Sequence, residues 1–536
     1  MRTDLRGKAE VIWFILLSGG FFAAALGVQQ MTHAWSADLG TGGDEAGHFV
    51  SALLVYDFLR AGLPGSPMKF ALGYYHHWPR VAIGHWPPLF YILQGLAFLV
   101  TGRSVGAAIG FQALITGVTA GWTAWLVRRR LGPLVGVAAG ISVLVAPQIL
   151  ISVNLVMVDT ALALWMMGAA LAWAAFAREP RIARALLFAA AAIGAILTKG
   201  NGIALAALPL FHAVLTRSTA ALRNRGAWLA AALVGLMTAP WYAFTYRIAA
   251  GGFVYHWGQK YTERAIPYYL SSLVTILGPL GVAGVVGMLV VKRRGFADST
   301  LAACGALVLA LLAFQWLVPA ALTTRYLIAL VPAGMVLAAS GLDTIVRGFM
   351  PRGRIDVLVV CILMTNAAFG FRTPHLSPYG MNLVAKQIIG LHDGNRFVLA
   401  AGNDHAEAAL IAAFAAVDPA RKFYILRASQ QLAATNFMGS IYHVRFARSA
   451  QVATWLRLSG IGWVVIALPH GHPAMRHDQE LLRVLTNPAT HAVLIFSHSE
   501  ARGTVNVYRL TTRPTSVAQA SALLRRATPI ALSHTP

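Results

Sequence analysis

Long apolar runs, closed one after another by arginines, leave this chain few ways to fold. The first extends from Val11 to about Val28, behind Arg2, Arg6 and Lys8. The next clear one extends from about Val105 to Val127 and ends in Arg128-Arg129-Arg130. A hydrocarbon layer accepts such segments only as helices that satisfy their own backbone, and Lys and Arg turns stay on the cytoplasmic side. With the N-terminus inside, the first helix exits and the Arg128 helix returns. The apolar stretch between them, Pro88 to about Gly102, should then not cross. About 14 helical residues at ~1.5 Å each also fall short of a ~30 Å core. The segment from about Met31 to Ser104 becomes one large external loop with a juxtamembrane helix.

Later runs continue the alternation. They lie near 131–152, 158–176, 185–197, 203–215, 227–246, 268–291, 301–319, 325–346 and 357–371, and arginines mark each inner turn. That makes roughly eleven spans. The first run exceeds a typical signal-peptide core, so an uncleaved helix is favoured over a cleaved leader. The composition agrees: 57% of residues are hydrophobic and 12% charged, with a mean hydropathy of +0.63. The formal charge of +24 fits Arg-rich inner loops and contact with membrane lipids. Nucleic acid is not expected as a partner, because no basic stretch is interleaved with stacking aromatics. Cys304 and Cys361 sit in apolar segments and imply neither a disulfide framework nor a metal motif.

After Pro374 the pattern changes. Short strand-like runs (Arg396–Gly402, Lys422–Leu426, Gly462–Leu468, His491–Phe496, Thr504–Leu510) alternate with helical spacing at Glu407–Val417, Gln451–Leu458 and Gln479–Leu485. This reads as a small α/β domain. The expected architecture is a polytopic α-helical membrane protein over 1–373 with catalytic loop 31–104. An extracytoplasmic α/β domain follows over 374–515, and 516–536 forms a flexible or weakly helical tail. The expected location is the inner (plasma) membrane, with the N-terminus cytoplasmic. No internal repeat is evident.

The topology gathers ionisable residues on one side. In Thr41-Gly42-Gly43-Asp44-Glu45-Ala46-Gly47-His48, two adjacent carboxylates sit at the membrane edge, which is costly unless they meet cations, a metal or water. His85, Asp159, Lys199, His256, Glu263, Arg264, Arg325 and Tyr326 fall on the same outer side. Each has a bland reading. Asp44-Glu45 could be a solvated pair or a helix cap, Asp159 a structural partner, Lys199 a snorkelling side chain, and Arg325-Tyr326 an interfacial anchor. Together they favour a polar cavity opening outward. The spacing of His76, His77 and His85 leaves a divalent cation open without specifying one. Asn403-Asp404-His405 follows a strand end, where ligands often bind; the favoured reading is a polar turn capping the next helix.

In order along the chain, Gly43-Asp44-Glu45, His85-Trp86-Pro87-Pro88-Leu89, Val158-Asp159-Thr160, Leu197-Thr198-Lys199-Gly200 and Arg325-Tyr326-Leu327 resemble the C-type glycosyltransferases. The resemblance is closest to the protein O-mannosyltransferase and lipid A aminoarabinose transferase group, over roughly residues 5–370. Pro240-Trp241-Tyr242, Glu263-Arg264 and Pro267-Tyr268-Tyr269 extend it. It implies transfer of a sugar from a polyprenyl-phosphate donor to an extracytoplasmic glycan, lipid or protein, with inversion. In that case Asp44 is the general base and Glu45 its support. Lys199, Arg325, His85 and Arg264 would hold the donor phosphate, with Asp159, His256, Glu263, Tyr326 and His48 lining the cavity. The other reading is a transporter or flippase of lipid-linked substrates. It calls for paired broken helices or a two-fold repeat at the midplane, and neither is apparent in the sequence.

Overall fold

The computed structural model describes residues 2–511 apart from 253–258, 293–294, 320, 350–354, 373, 375, 377, 392–393, 438–441 and 472. His256 and the tail expected at 516–536 lie outside the described residues. Helix α1 (Arg2–Met31) opens the chain. The loop after it holds α2 (Glu45–Arg60), α3 (Pro67–His77) and α4 (Leu89–Thr101). Helix α4 has 13 residues and packs on α2, as its length requires. Next come α5 (Val105–Leu131), α6 (Pro133–Leu144), α7 (Pro147–Ser152), α8 (Asp159–Arg178) and α9 (Ile182–Ile196). A 3-10 segment at Gly200–Ala206 leads into α10 (Leu208–Thr216), α11 (Ala220–Arg223) and α12 (Arg225–Gly252). The bundle closes with α13 (Gln259–Leu277), α14 (Pro279–Val291), α15 (Ser299–Leu317), a 3-10 segment at Thr324–Leu330, α16 (Val331–Arg347) and α17 (Ile355–Gly370).

The protein is a polytopic helical membrane protein. Among the described residues six helices are long and apolar enough to cross a membrane, or seven if one bent pair counts as a span, and shorter apolar helices accompany them. Helices α1 and α12 expose Val11, Ile12, Ile15, Leu16, Trp228, Leu236, Met237 and Phe244, a surface suited to lipid rather than water.

The run from Tyr268 to Val291, expected as one span, is corrected by the structure. It is two helices, α13 and α14, bent by 111°. Gly278 takes φ +74 and Pro279 starts α14, so the first breaks the helix and the second cannot rejoin it. The Asn366 side chain from α17 fills the notch. Its amide donates to Leu277 O at 2.7 Å, and its oxygen accepts from Leu280 N at 3.1 Å. A Cβ on residue 278 would lie 2.2 Å from that oxygen. The run 131–152 is also interrupted, at Pro147, between α6 and α7.

The C-terminal part contains α18 (Met381–Gly390), β1 (Phe397–Ala401), α19 (Asp404–Val417), β2 (Tyr424–Arg427), α20 (Ala428–Gln431), β3 (Ala433–Ala434), β4 (His443–Val444), α21 (Ser449–Ser459), β5 (Trp463–Pro469), α22 (Arg476–Leu485), β6 (Ala492–Glu500) and β7 (Gly503–Leu510). Five strands form one sheet in the order β2-β1-β5-β7-β6. Strands β2, β1 and β5 run parallel, and β7 and β6 add antiparallel pairs. Helix α19 shares one apolar core with the loop helices: Ala409, Leu410 and Phe414 cluster with Phe49, Leu53 and Tyr75. The carboxyl ends of β1 and β2 therefore face the loop that carries Asp44.

Candidate active site

Three chain breaks bring the central charges together. Asp44 precedes α2, Lys199 lies extended (φ −157) between α9 and the Gly200–Ala206 turn, and Arg325 opens the second 3-10 segment behind the Thr323 cap. Asp159 is the first residue of α8. At each break the backbone leaves its helix, so a side chain can point along the bundle axis rather than into lipid.

The four residues form an alternating chain of charge. Arg325 Nη2 donates to Asp44 Oδ2 at 2.8 Å, and its Nε lies 3.9 Å from Asp159 Oδ2. Lys199 Nζ donates to Asp159 Oδ1 at 2.5 Å. Lys199 and Arg325 also lie 4.9 Å and 5.8 Å from the centre of the Tyr326 ring, at cation–π range. Asp44, Asp159 and Lys199 are buried, while the Arg325 side chain keeps 27% of its surface. Two acids and two cations balance, so each buried charge has a partner. Asp159 Oδ2 and Arg325 Nε have no hydrogen-bond partner among the described residues.

Adjacent acids have opposite surroundings. Burial pushes the Asp44 carboxyl up, but Arg325 and then His48 outweigh it and hold the group below its ordinary value. Near Glu45 the pull of the Arg502 cation is weaker than burial and than the backbone donors. Burial pushes the Glu45 carboxyl up to about 8, against backbone donors at Thr41 (3.2 Å), Gly42 (3.4 Å) and Val156 (3.4 Å). Glu45 therefore ties the loop to the turn before Asp159. His48 is buried, its ring nitrogen 2.9 Å from Tyr91 Oη, and burial drives it down to about 4.

Other expected participants lie elsewhere. His85 stacks on Phe437 with ring centres 4.0 Å apart, and burial lowers it to about 4. Glu263 accepts from the Gln259 amide at 2.8 Å on the exposed side of α13, and Arg264 is exposed beside it. None of the three contacts the four-charge cluster in the described hydrogen bonds and ion pairs. His77 stacks on Tyr424 at 4.1 Å, well separated in partners from His85. No group of three or more metal-binding side chains gathers among the described residues. Asp44 and Asp159 meet cations instead, an arrangement that does not fit a divalent ion.

The sequence reading missed the clamp around the loop. Arg80 is fully buried and donates to Gly43 O at 2.5 Å, to Phe437 O at 2.9 Å and to both Asp404 oxygens at 2.8 and 2.7 Å. Arg427 joins Asp404 (2.6 Å) to Glu407 (2.9 Å). Burial works to raise Asp404, and Arg80 with Arg427 hold it low. Asn403 is the cap the sequence suggests, accepting from Ala406 N at 2.9 Å. Arg502 and His405 both meet Gly40 O, and Asp38 accepts from Tyr379 N and Met381 N at 2.9 Å each. Gly40 is needed for this approach, since a Cβ there would lie 2.9 Å from Ala409 Cβ.

Residues 85–244 match the model of the dolichyl-phosphate-mannose-protein mannosyltransferase family. Two solved structures of ArnT from Cupriavidus metallidurans superpose on almost the whole chain. The apo form has a TM-score of 0.57 at 16% identity, covering 94% of this chain and 98% of that one. The form bound to undecaprenyl phosphate has a TM-score of 0.56 at 17% identity, covering 92% and 98%. The chain shares the fold of these two structures. The mycobacterial arabinofuranosyltransferase AftD is also similar, with a TM-score of 0.50 at 16% identity over 92% of this chain and 41% of that chain. No curated protein matches by sequence. The segment that matches the family contains Asp159 and Lys199, and the fold brings Asp44 and Arg325 to them.

Proposed function

We propose that the protein moves a sugar from a polyprenyl-phosphate donor to a hydroxyl on an extracytoplasmic glycan, lipid or protein, inverting the anomeric centre. The observation that carries this reading is the Asp44–Arg325–Asp159–Lys199 chain: a buried carboxylate beside two cations suited to a phosphate. The family match and the ArnT likeness, one form of which binds undecaprenyl phosphate, support it.

The chemistry follows from the charges. The acceptor oxygen attacks the anomeric carbon as the carbon–oxygen bond to phosphate breaks. Asp44 takes the acceptor proton, and the departing lipid phosphate carries its charge to Lys199 and Arg325. Arg offers parallel donors to a phosphate and Lys a point charge. With no donor present, Arg325 holds Asp44 below its ordinary pKa and so makes it a weak base. A bound phosphate competes for that guanidinium and raises Asp44 toward the value a base needs. Donor binding thus switches on the base. The Glu45 contacts keep Asp44 at the start of α2 in either condition. Asp159 holds Lys199, while the Arg80 clamp fixes the carbonyl just before Asp44. In this reading the N-terminus is cytoplasmic and the four charges face outward with the α/β unit.

The test is reconstitution of the full-length protein in liposomes with polyprenyl-phosphate sugars, followed by mass spectrometry of the acceptors. Sugar transfer that disappears in Asp44→Asn, with donor binding retained, supports the assignment. Undiminished transfer in Asp44→Asn overturns Asp44 as base. Translocation of intact lipid-linked sugar without transfer would favour the flippase reading. The broken pair at Gly278 does not favour that reading, because its polar occupant is the Asn366 amide, already used by backbone groups.

A further inference from the structure

A large cavity opens apart from the four charges. It is an open groove of about 1060 Å³ at the opposite end of α8, between α1, α5, α8, α9 and the start of α15. Asp159 and Arg178 are the first and last residues of a 20-residue helix, so the charged mouth of the groove lies roughly 30 Å along α8 from Asp159, while its apolar body reaches back to Leu164. One phosphate cannot serve both.

The lining has a gradient. Phe14, Trp122, Trp125 and Trp165 make its half-buried apolar body, and Arg129, Arg130 and Arg178 stand at its mouth. From Val118 to Arg130 the groove follows α5 for about 18 Å, close to the ~15 Å hydrocarbon depth of one leaflet. Gly168 faces the trough, where a Cβ would be in ordinary contact with Trp122 at 3.4 Å and a longer side chain would fill the space. The mouth is cationic, with three guanidiniums in the lining against the single carboxylate of Asp298. Asp298 is committed to Arg130 at 2.5 and 2.9 Å, and Arg178 donates to Thr300 Oγ1 at 2.8 Å. Arg129 is the least engaged. Its side chain is 53% exposed and lies 3.6 Å from Glu10, a carboxylate already held by Arg128 at 2.6 Å. Its guanidinium rests over the Trp125 ring at 4.9 Å, at the boundary between the apolar body and the open mouth.

We propose that this groove holds one anionic diacyl phospholipid from the leaflet on the Arg129 side, its acyl chains in the tryptophan trough and its phosphate on Arg129. The charge surplus selects an anionic headgroup over a zwitterionic one. The depth selects a lipid in its ordinary leaflet position over a soluble phosphate. Such binding is independent of glycosyl transfer.

Native mass spectrometry of the full-length protein in neutral detergent, titrated with dioleoyl phosphatidylglycerol or dioleoyl phosphatidylcholine, tests it. One phosphatidylglycerol should remain bound per chain in preference to phosphatidylcholine. Arg129→Gln, at an exposed position, should weaken that binding about fivefold, the effect of about one cation near an anionic lipid. Gly168→Leu, checked for folding by its melting temperature, should weaken retention of both lipids, and Asp44→Asn should change neither. Equal binding of the two lipids, or phosphatidylglycerol binding indifferent to Arg129→Gln, overturns the proposal. Displacement by an equal concentration of polyprenyl phosphate would make the groove a donor path and also overturn it, as would a dimer that Gly168→Leu abolishes.

Discussion

The two ends of the helix bundle carry charge in different ways. At the Asp44 end, residues far apart in sequence meet: Asp44 with Arg325, Asp159 with Lys199, Arg80 with Asp404. At the Arg129 end the pairs are peripheral or local. Arg347 takes Asp343 one turn away, and Arg128 takes Glu10 with both side chains partly exposed. Both ends are rich in ions, and only one encloses them. Positive charge at a membrane edge fixes orientation. Enclosed charge of both signs, held by chain breaks, suits chemistry.

The comparison predicts a steep order of effects. Asp44→Asn keeps the volume and removes the proposed base, so turnover in the liposome assay should fall by about 10²–10⁴. A loss of only a few-fold would make the enclosed end no more special than the other. Lys199→Ala should cost roughly 10²–10³ in turnover by removing a proposed cation for the phosphate. It should do so without abolishing insertion, measured as yield of folded protein. Arg427→Met leaves Glu407 buried without its cation and should lower stability by about 3–5 kcal/mol, read as a drop in melting temperature. Arg347→Gln should change stability by no more than about 1 kcal/mol and leave turnover intact.

A smaller and more pointed prediction concerns pH. Glu45 is raised from 4.5 to about 8 in the folded protein. The folded state therefore keeps a proton that the unfolded state loses. The stability from that proton is fully present below about pH 4.5 and is lost as pH rises through about 8. The melting temperature should therefore decline between pH 5 and 8, and Glu45→Gln should flatten part of the decline. Identical profiles for the two proteins would mean that Glu45 is solvated.

The gathering of Asp44, Asp159, Lys199 and Arg325 is legible in sequence because hydropathy and arginine turns assign each to the same side. The clamp is not. Arg80 sits in a loop with no periodicity, and nothing local marks it as the residue that holds Gly43. Asp404 follows a strand and adjoins an evident cap, so the cap reading absorbs it, yet Asn403 is the cap and Asp404 faces Arg80. The break at Gly278-Pro279 carries a visible turn signal that the length of the apolar run masks. His85 reads as a phosphate ligand from its place in a motif. Phe437, which it stacks on, is more than three hundred residues away, and such a long-range partner has no local trace.

The loop around Asp44 is held by residues made much later. Gly40 is gripped by His405 and Arg502, Asp38 by the backbone at 379–382, and Gly43 through Arg80 by Asp404. A ribosome adding about 5–20 residues each second needs roughly half a minute to a minute and a half to travel from Asp44 to Arg502. During that interval the early helices can already be in the membrane while the loop lacks its final restraints. Completion of the enclosed end is therefore one of the last events in the life of the nascent chain, and a translation product that stops short of Arg502 would insert without acquiring it.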